Sequence, residues 1–278
     1  MRTTRLRILA LVGAIALLGA CSSSDDSDDG TTPAEVKPLS VLVTNDDGYD
    51  APGLDAVVTE LRTLPGVTVT VVAPTTNQSG AGAKTTPTPL TSTKTSTLNG
   101  FPAVAVDGFP ADSVAYALDT VMKQQPDLVV SGVNEGPNFG PLAAVSGTVG
   151  AAEKAASVGI PAIAASQGLG DPVPDYTSGA KIVSGWVSAH RNELAGGEAP
   201  VVVLNLNIPT CSSGTLRGVE QVPPATTLDG AALGTVDCSS TATDPKTDTE
   251  AFGDGFASVT SLQADGQPTT TTTTWSSS

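Results

Sequence analysis

A short run of β-branched residues that breaks off into an amide, two carboxylates and a glycine leaves few choices of fold. Residues 40–48 read Ser-Val-Leu-Val-Thr-Asn-Asp-Asp-Gly. The apolar part is short and continuous, as in a strand buried on both faces of a parallel sheet. Open sheets of that kind bind ligands beyond the carboxyl ends of their strands. Asp46 and Asp47, side by side, repel each other unless a cation or a proton intervenes. A divalent metal is the simplest answer, and two carboxylates with an amide favour Mg²⁺, Mn²⁺ or Ca²⁺. The same residues also suit a plain strand-to-helix turn, and the stretch alone does not separate the two readings.

The rest of the chain supplies the alternation that such a sheet needs. A helix opens at Pro52-Gly53, with Leu54, Val57, Val58, Leu61 and Leu64 on a helical spacing, and Pro65-Gly66 stops it. A second buried strand spans 67–73 and ends in a polar loop over 74–82. The right-handed crossover between the two strands puts both loops on one edge, facing each other. Residues 85–106 read as an antiparallel hairpin arm turning at Asn99-Gly100. A helix then opens near Pro110 with Asp112 in its first turn. A strand over 127–131 leads into a loop over 132–140, dense in glycine and amides. Ser146-Gly147-Thr148 precedes an alanine-rich helix over 149–158. Its start is either a plain N-cap or a phosphate cradle built from free N–H groups. A strand over 161–165, a helix over 176–194 and a strand over 201–206 ending Asn207-Ile208-Pro209 complete a doubly wound α/β pattern. Beyond Pro209 only 257–262 reads as a strand, and the threonine run over 269–274 reads as disordered.

The 278 residues allow one sizeable α/β domain. The chain opens on Arg2, Arg5 and Arg7 followed by an apolar stretch over 8–18, a signal-peptide pattern too short to span a membrane as a mature helix. Leu18-Gly19-Ala20-Cys21 resembles a bacterial lipobox, which implies removal of 1–20, lipidation of Cys21 and a polar tether over 21–38. The protein is then expected at the extracytoplasmic face of the membrane, held there by its lipid. The formal net charge of −15 becomes more negative once the three arginines are gone, so nucleic acid polymers are not expected partners. Cys211 and Cys238 remain as a pair, most simply a disulfide in an exported chain.

Several mechanisms drop out. His190 is the only histidine. It falls in a helix beside Arg191 and reads as a surface or boundary residue, so Ser-His-Asp hydrolysis and His-rich zinc sites have no support. Neither a P-loop nor a dinucleotide fingerprint occurs.

Four spaced stretches together resemble the SurE family of metal-dependent nucleotidases. They are Val43-Thr44-Asn45-Asp46-Asp47-Gly48 with Ala51-Pro52-Gly53, then Val72-Ala73-Pro74 with Asn77-Gln78-Ser79-Gly80. Pro126 to Asn134 with Gly136-Pro137-Asn138 is the third, and Ser146-Gly147-Thr148-Val149-Gly150-Ala151-Ala152 with Gly159-Ile160-Pro161-Ala162-Ile163-Ala164 the fourth. The resemblance runs over roughly residues 39–265. It implies a Rossmann-like three-layer sandwich with a mostly parallel central sheet, a β-hairpin arm and an irregular C-terminal segment. The domain bounds are 39–267, with a Thr/Ser tail over 268–278.

By the same resemblance one divalent metal ion falls to Asp46, Asp47, Ser79 and Asn134, and phosphate to Ser146, Gly147 and Thr148, with Asn45 and Asn138 close by. Asp46 or Asp47 takes the proton of the attacking water. The implied substrate is a nucleoside monophosphate, and the implied assembly a homodimer. Pro141-Leu142-Ala143-Ala144-Val145 departs from the family, which places acidic residues and an aromatic there. Two other readings stay open: a broad acid phosphatase, and an envelope lipoprotein that binds a metal or phosphorylated ligand without turnover.

Overall fold

The computed structural model describes residues 36–87, 89–170, 173–228 and 236–269. The signal segment, Cys21, most of the tether and nearly all of the Thr/Ser tail lie outside the described residues. No helix among those described is long and apolar enough to cross a membrane.

Nine strands form one sheet: β1 (Leu39–Thr44), β2 (Val67–Pro74), β3 (Thr91–Ser96), β4 (Pro102–Asp107), β5 (Leu128–Glu135), β6 (Ala162–Gln167), β7 (Val203–Ile208), β8 (Val219–Gln221) and β9 (Ala257–Leu262). Their order is β3-β4-β2-β1-β5-β6-β7-β9-β8. β4, β2, β1, β5, β6 and β7 pair in parallel, β3 is antiparallel to β4 and β9 antiparallel to β7, and β8 pairs in parallel with β9. Six helices accompany them: α1 (Pro52–Thr63), α2 (Pro110–Tyr116), α3 (Gly147–Ser157), α4 (Tyr176–Ala189), α5 (Arg191–Gly196) and α6 (Asp248–Gly253). The result is the expected Rossmann-like sandwich.

Strand alternation divides the core between two layers. Val41, Val43, Val130, Ile163 and Leu204 pack with Leu54, Val57 and Leu61 of α1 and Val183 and Val187 of α4. Leu42, Val129, Ala164, Val203 and Leu262 pack with Val114 of α2 and the alanines of α3. The hairpin turns through 97–101, where Thr97 N–H donates to the Phe101 carbonyl. Its second strand, β4, docks parallel on β2, so the hairpin belongs to the sheet with β3 at the edge.

Four local readings are corrected. β5 does not stop at residue 131 but runs to Glu135, because a register shift between Ser131 and Asn134 lets it stay paired with β6. Asn134 is therefore a strand residue. The single helix expected over 176–194 is two, α4 and α5, joined at His190. That histidine is not at the surface: it is buried, its ring stacked on Trp186 at 4.3 Å and its Nδ1 3.0 Å from the Trp186 carbonyl. It stands at the far end of α4 from Tyr176. The region past Pro209 also holds more than one strand, since β8 and α6 precede β9 there. Cys211 and Cys238 are joined as a disulfide with Cα atoms 5.8 Å apart.

Candidate active site

The carboxyl ends of β1, β2 and β5 meet the start of α3 on one edge of the sheet. Asn45 ends the climb of β1 by folding its own turn: its Nδ2 donates to the Gly48 carbonyl at 2.9 Å and its Oδ1 accepts from Gly48 N–H at 3.2 Å. Its amide therefore serves the turn that carries Asp46 and Asp47. The loop after β2 is tied to this turn, with Gln78 N–H on the Asp46 carbonyl at 2.7 Å and Asn77 Nδ2 on Asp47 Oδ1 at 3.1 Å. Ser79 follows in that loop, exposed, its N–H on Asn77 Oδ1 at 2.9 Å. The two loops face one another as the crossover required.

Asp46 is 2 % exposed, and its Oδ1 accepts a 2.6 Å hydrogen bond from the Thr148 hydroxyl. Burial raises its pKa; the Thr148 hydroxyl, with the backbone N–H groups of Thr148 and Gly147, pulls the other way. Of the two readings of the α3 start, the N-cap is the one the structure displays. Ser146 is the N-cap, its Oγ accepting from Val149 N–H at 3.2 Å, while the first turn of the helix faces Asp46. Gly147 makes that approach possible, since a Cβ there would stand 2.8 Å from Asp46 Cβ and 2.9 Å from its Oδ2.

Asp47 is pushed up to about 7, by burial first and then by the Asp46 charge, with Glu135 adding a smaller share. Its Oδ2 accepts from Glu135 N–H at 3.2 Å, and its neighbouring charges are both negative. Asn134 is buried beside it, its Nδ2 on the Gly136 carbonyl at 2.7 Å. The end of β5 comes so close to α1 that a Cβ on Gly53 would lie 1.8 Å from the Val133 carbonyl oxygen.

Asn138 connects the third loop to the fourth: its Nδ2 donates to Ser166 Oγ at 2.9 Å and to Thr148 Oγ1 at 3.4 Å. The atypical 141–145 segment forms a 3₁₀ turn, Gly140–Val145, whose Val145 is exposed.

Some contributors escaped the sequence reading. Tyr176, at the start of α4, hydrogen-bonds Glu135; burial, and then the Glu135 and Asp47 charges, raise its hydroxyl pKa. Asp248 of α6, fully buried, accepts from Gly140 N–H at 2.7 Å and from Ala225 N–H at 2.8 Å, and Phe252 meets Phe139 edge-on at 5.1 Å. Nothing in the sequence reading marked Asp248 in advance, because no helix was expected past Pro209.

A hard divalent cation suits this arrangement. A buried and a half-buried carboxylate lie side by side here, their titration shifted toward the neutral form, with an amide and a hydroxyl near and no cation among the causes of either shift. No group of three or more His, Cys, Asp or Glu gathers for a metal among the described residues, so a site here depends on Asn134 and Ser79 to complement the aspartates.

Residues 41–229 match the family described as Survival protein SurE. The chain is 40% identical over 190 residues to the 5'-nucleotidase SurE of Paramagnetospirillum magneticum, covering 67% of this chain and 70% of that one. Against the 5'-nucleotidase SurE of Methylococcus capsulatus it is 34% identical over 241 residues, 82% of this chain and 92% of that one. The crystal structure of SurE protein from Aquifex aeolicus superposes with a TM-score of 0.66 at 32% identity, covering 81% of this chain and 94% of that one. The paired aspartates, the loops around them and the helix start that faces them thus sit in a chain that belongs to the SurE family.

Proposed function

We propose that this protein is a metal-dependent phosphate monoester hydrolase acting on nucleoside monophosphates, working outside the cytoplasmic membrane on a lipid anchor at Cys21. The observation that carries the reading is the Asp46–Asp47 pair, Asp46 buried against the start of α3 and Asp47 half-buried beside it, held by Asn77 and the Glu135 N–H. Relatives bearing the name 5'-nucleotidase SurE support the substrate class.

Asp46, Asp47, Asn134 and Ser79 are the residues that would hold Mg²⁺, Mn²⁺ or Ca²⁺. Bound there, such an ion supplies Lewis-acid polarisation of a phosphoryl oxygen and lowers the pKa of water. The protein's own residues do the rest. Asn138 and Ser146 stand at the start of α3, where the helix dipole favours a phosphate dianion, while the N–H groups of Gly147 and Thr148 are turned on Asp46. Thr148 holds Asp46 in place through its hydroxyl, and Asn77 and Glu135 N–H do the same for Asp47. One aspartate of the pair accepts the proton of the attacking water. A second copy of the chain as partner is part of this proposal.

The test is phosphate release from 5'- and 3'-nucleoside monophosphates and from an aryl phosphate, with and without chelator, beside Asp46→Asn. We expect chelator-sensitive turnover, faster on nucleotides and lost in the variant. Equal rates on the aryl ester would make the protein a broad phosphatase. Metal binding without turnover would make it a binding protein.

A further inference from the structure

Two residues that the catalytic reading leaves unused stand on β7. Asn205 and Asn207 share the face of the strand that begins with Val203, and both are buried. Asparagine suits such a position poorly: it is depleted in strands, and its amide needs several partners. Half of each amide indeed has none among the described residues. Asn205 Oδ1 and Asn207 Nδ2 are unpartnered, as are the hydroxyls of Thr260 and Ser258, which face them across β9. A buried polar atom left unpaired costs stability. Fold stability therefore does not account for the pair.

The other half of each amide is engaged with a single residue. Asn207 Oδ1 accepts from the backbone N–H of Asn138 at 2.6 Å, and Asn205 Nδ2 donates to the backbone carbonyl of Asn138 at 2.8 Å. Both main-chain polar groups of Asn138 are thus pinned from one strand. The pins act on a loop bounded by two glycines with positive φ, Gly136 at +97° and Gly140 at +51°. Pinning the backbone aims the side chain, which donates to Ser166 and Thr148; Thr148 in turn donates to Asp46. One connected path runs from the middle of β7 to the catalytic pair.

We propose that Asn205 and Asn207 are positioning residues of the phosphate site, acting through the backbone of Asn138. This rests on the reading of the site as a phosphate monoesterase. The roles of the two differ in a way that chemistry can separate. Position 207 needs an acceptor, and position 205 needs a donor.

The test uses the full chain with Mg²⁺ present and reads three quantities: kcat and KM on a nucleoside monophosphate, the affinity for inorganic phosphate, and the thermal midpoint. Asn207→Leu and Asn205→Leu are expected to lose about tenfold in kcat/KM and in phosphate affinity, with the midpoint kept within a few degrees. Thr260→Val, which deletes an unpartnered hydroxyl away from Asn138, changes neither activity nor phosphate affinity. Asn207→Asp keeps the acceptor and recovers part of the phosphate affinity. Asn205→Asp cannot donate and recovers none.

Folded leucine variants that bind phosphate as tightly as the wild type would overturn the inference. Should the leucine variants fail to fold, the two aspartate variants decide, and equal behaviour of that pair overturns it as well. A wild-type chain that neither turns over monoesters nor binds phosphate would instead remove the functional reading and this inference with it. Wild-type turnover with unaffected variants removes the inference alone.

Discussion

The sharpest residue-scale constraint is steric. Gly147 sits between the first turn of α3 and Asp46, and a methyl group there would collide with Asp46 Cβ and Oδ2 at 2.8 and 2.9 Å. Asp46 is buried and the helix is packed, so neither side yields freely. Gly147→Ala is therefore expected to destabilise by about 1–3 kcal/mol and to lower kcat by more than its loss of folded protein explains. Thermal unfolding beside kinetics on the same sample separates the two effects. Glu153 of α3 gives a residue-scale prediction of a different sort. Its carboxyl titrates above the ordinary 4.5, because of burial first and the Asp265 charge second. The native chain thus holds this proton more tightly than the unfolded chain. The associated stability is full below about pH 4.5 and is lost as pH rises through the raised native value. Glu153→Gln should have a higher melting midpoint than the wild type at pH 8, with the difference shrinking as the pH falls toward 4. An unchanged difference across that range would contradict the assignment.

At the scale of elements, α6 is six residues long, yet it grips the site from outside the parallel sheet. Asp248 takes the Gly140 N–H, and Phe252, 2 % exposed, stands against Phe139. Phe252→Ala opens a cavity under the third loop and should cost about 3–5 kcal/mol. Asp248→Ala leaves the N–H groups of Gly140 and Ala225 without their acceptor, at about 1–3 kcal/mol each where they stay dry. Amide exchange at Gly140 should speed up in both variants more than exchange in β1, which would locate the loosening in the loop. The hairpin behaves differently from α6. The Asn99-Gly100 turn announces it in the sequence, because a two-strand ribbon with a tight turn is a local structure. Its docking on β2 is not local, and nothing in residues 85–106 names that partner.

For the whole molecule, the Cys211–Cys238 bridge closes the segment between β7 and α6, with a sequence separation of 27. A loop of that length corresponds to about 3.5 kcal/mol of chain-entropy stabilisation. Reductant should accordingly lower the melting midpoint of the oxidised protein, and Cys211→Ser with Cys238→Ser should match the reduced midpoint. α6, which carries Asp248, follows this bridged segment in the chain, so loss of the bridge should also weaken kcat/KM where unfolding is not yet measurable.

The sequence by itself determined the alternation of strands and helices and the edge on which the loops gather, while Asn134 and Asn138 were singled out only by the resemblance to the family. Burial imposes a period of two on strands and of 3.6 on helices, and both periods can be read within a dozen residues. Tertiary structure alone decided that β5 continues to Glu135, since its last pairs are made with β6 across the sheet. It also decided that His190 is stacked in the core, that α6 reaches Gly140 over 108 residues of chain, and that two asparagines of β7 hold Asn138 from 67 and 69 residues away. Contacts of that separation follow from how layers are packed against one another, and packing writes no period into either partner.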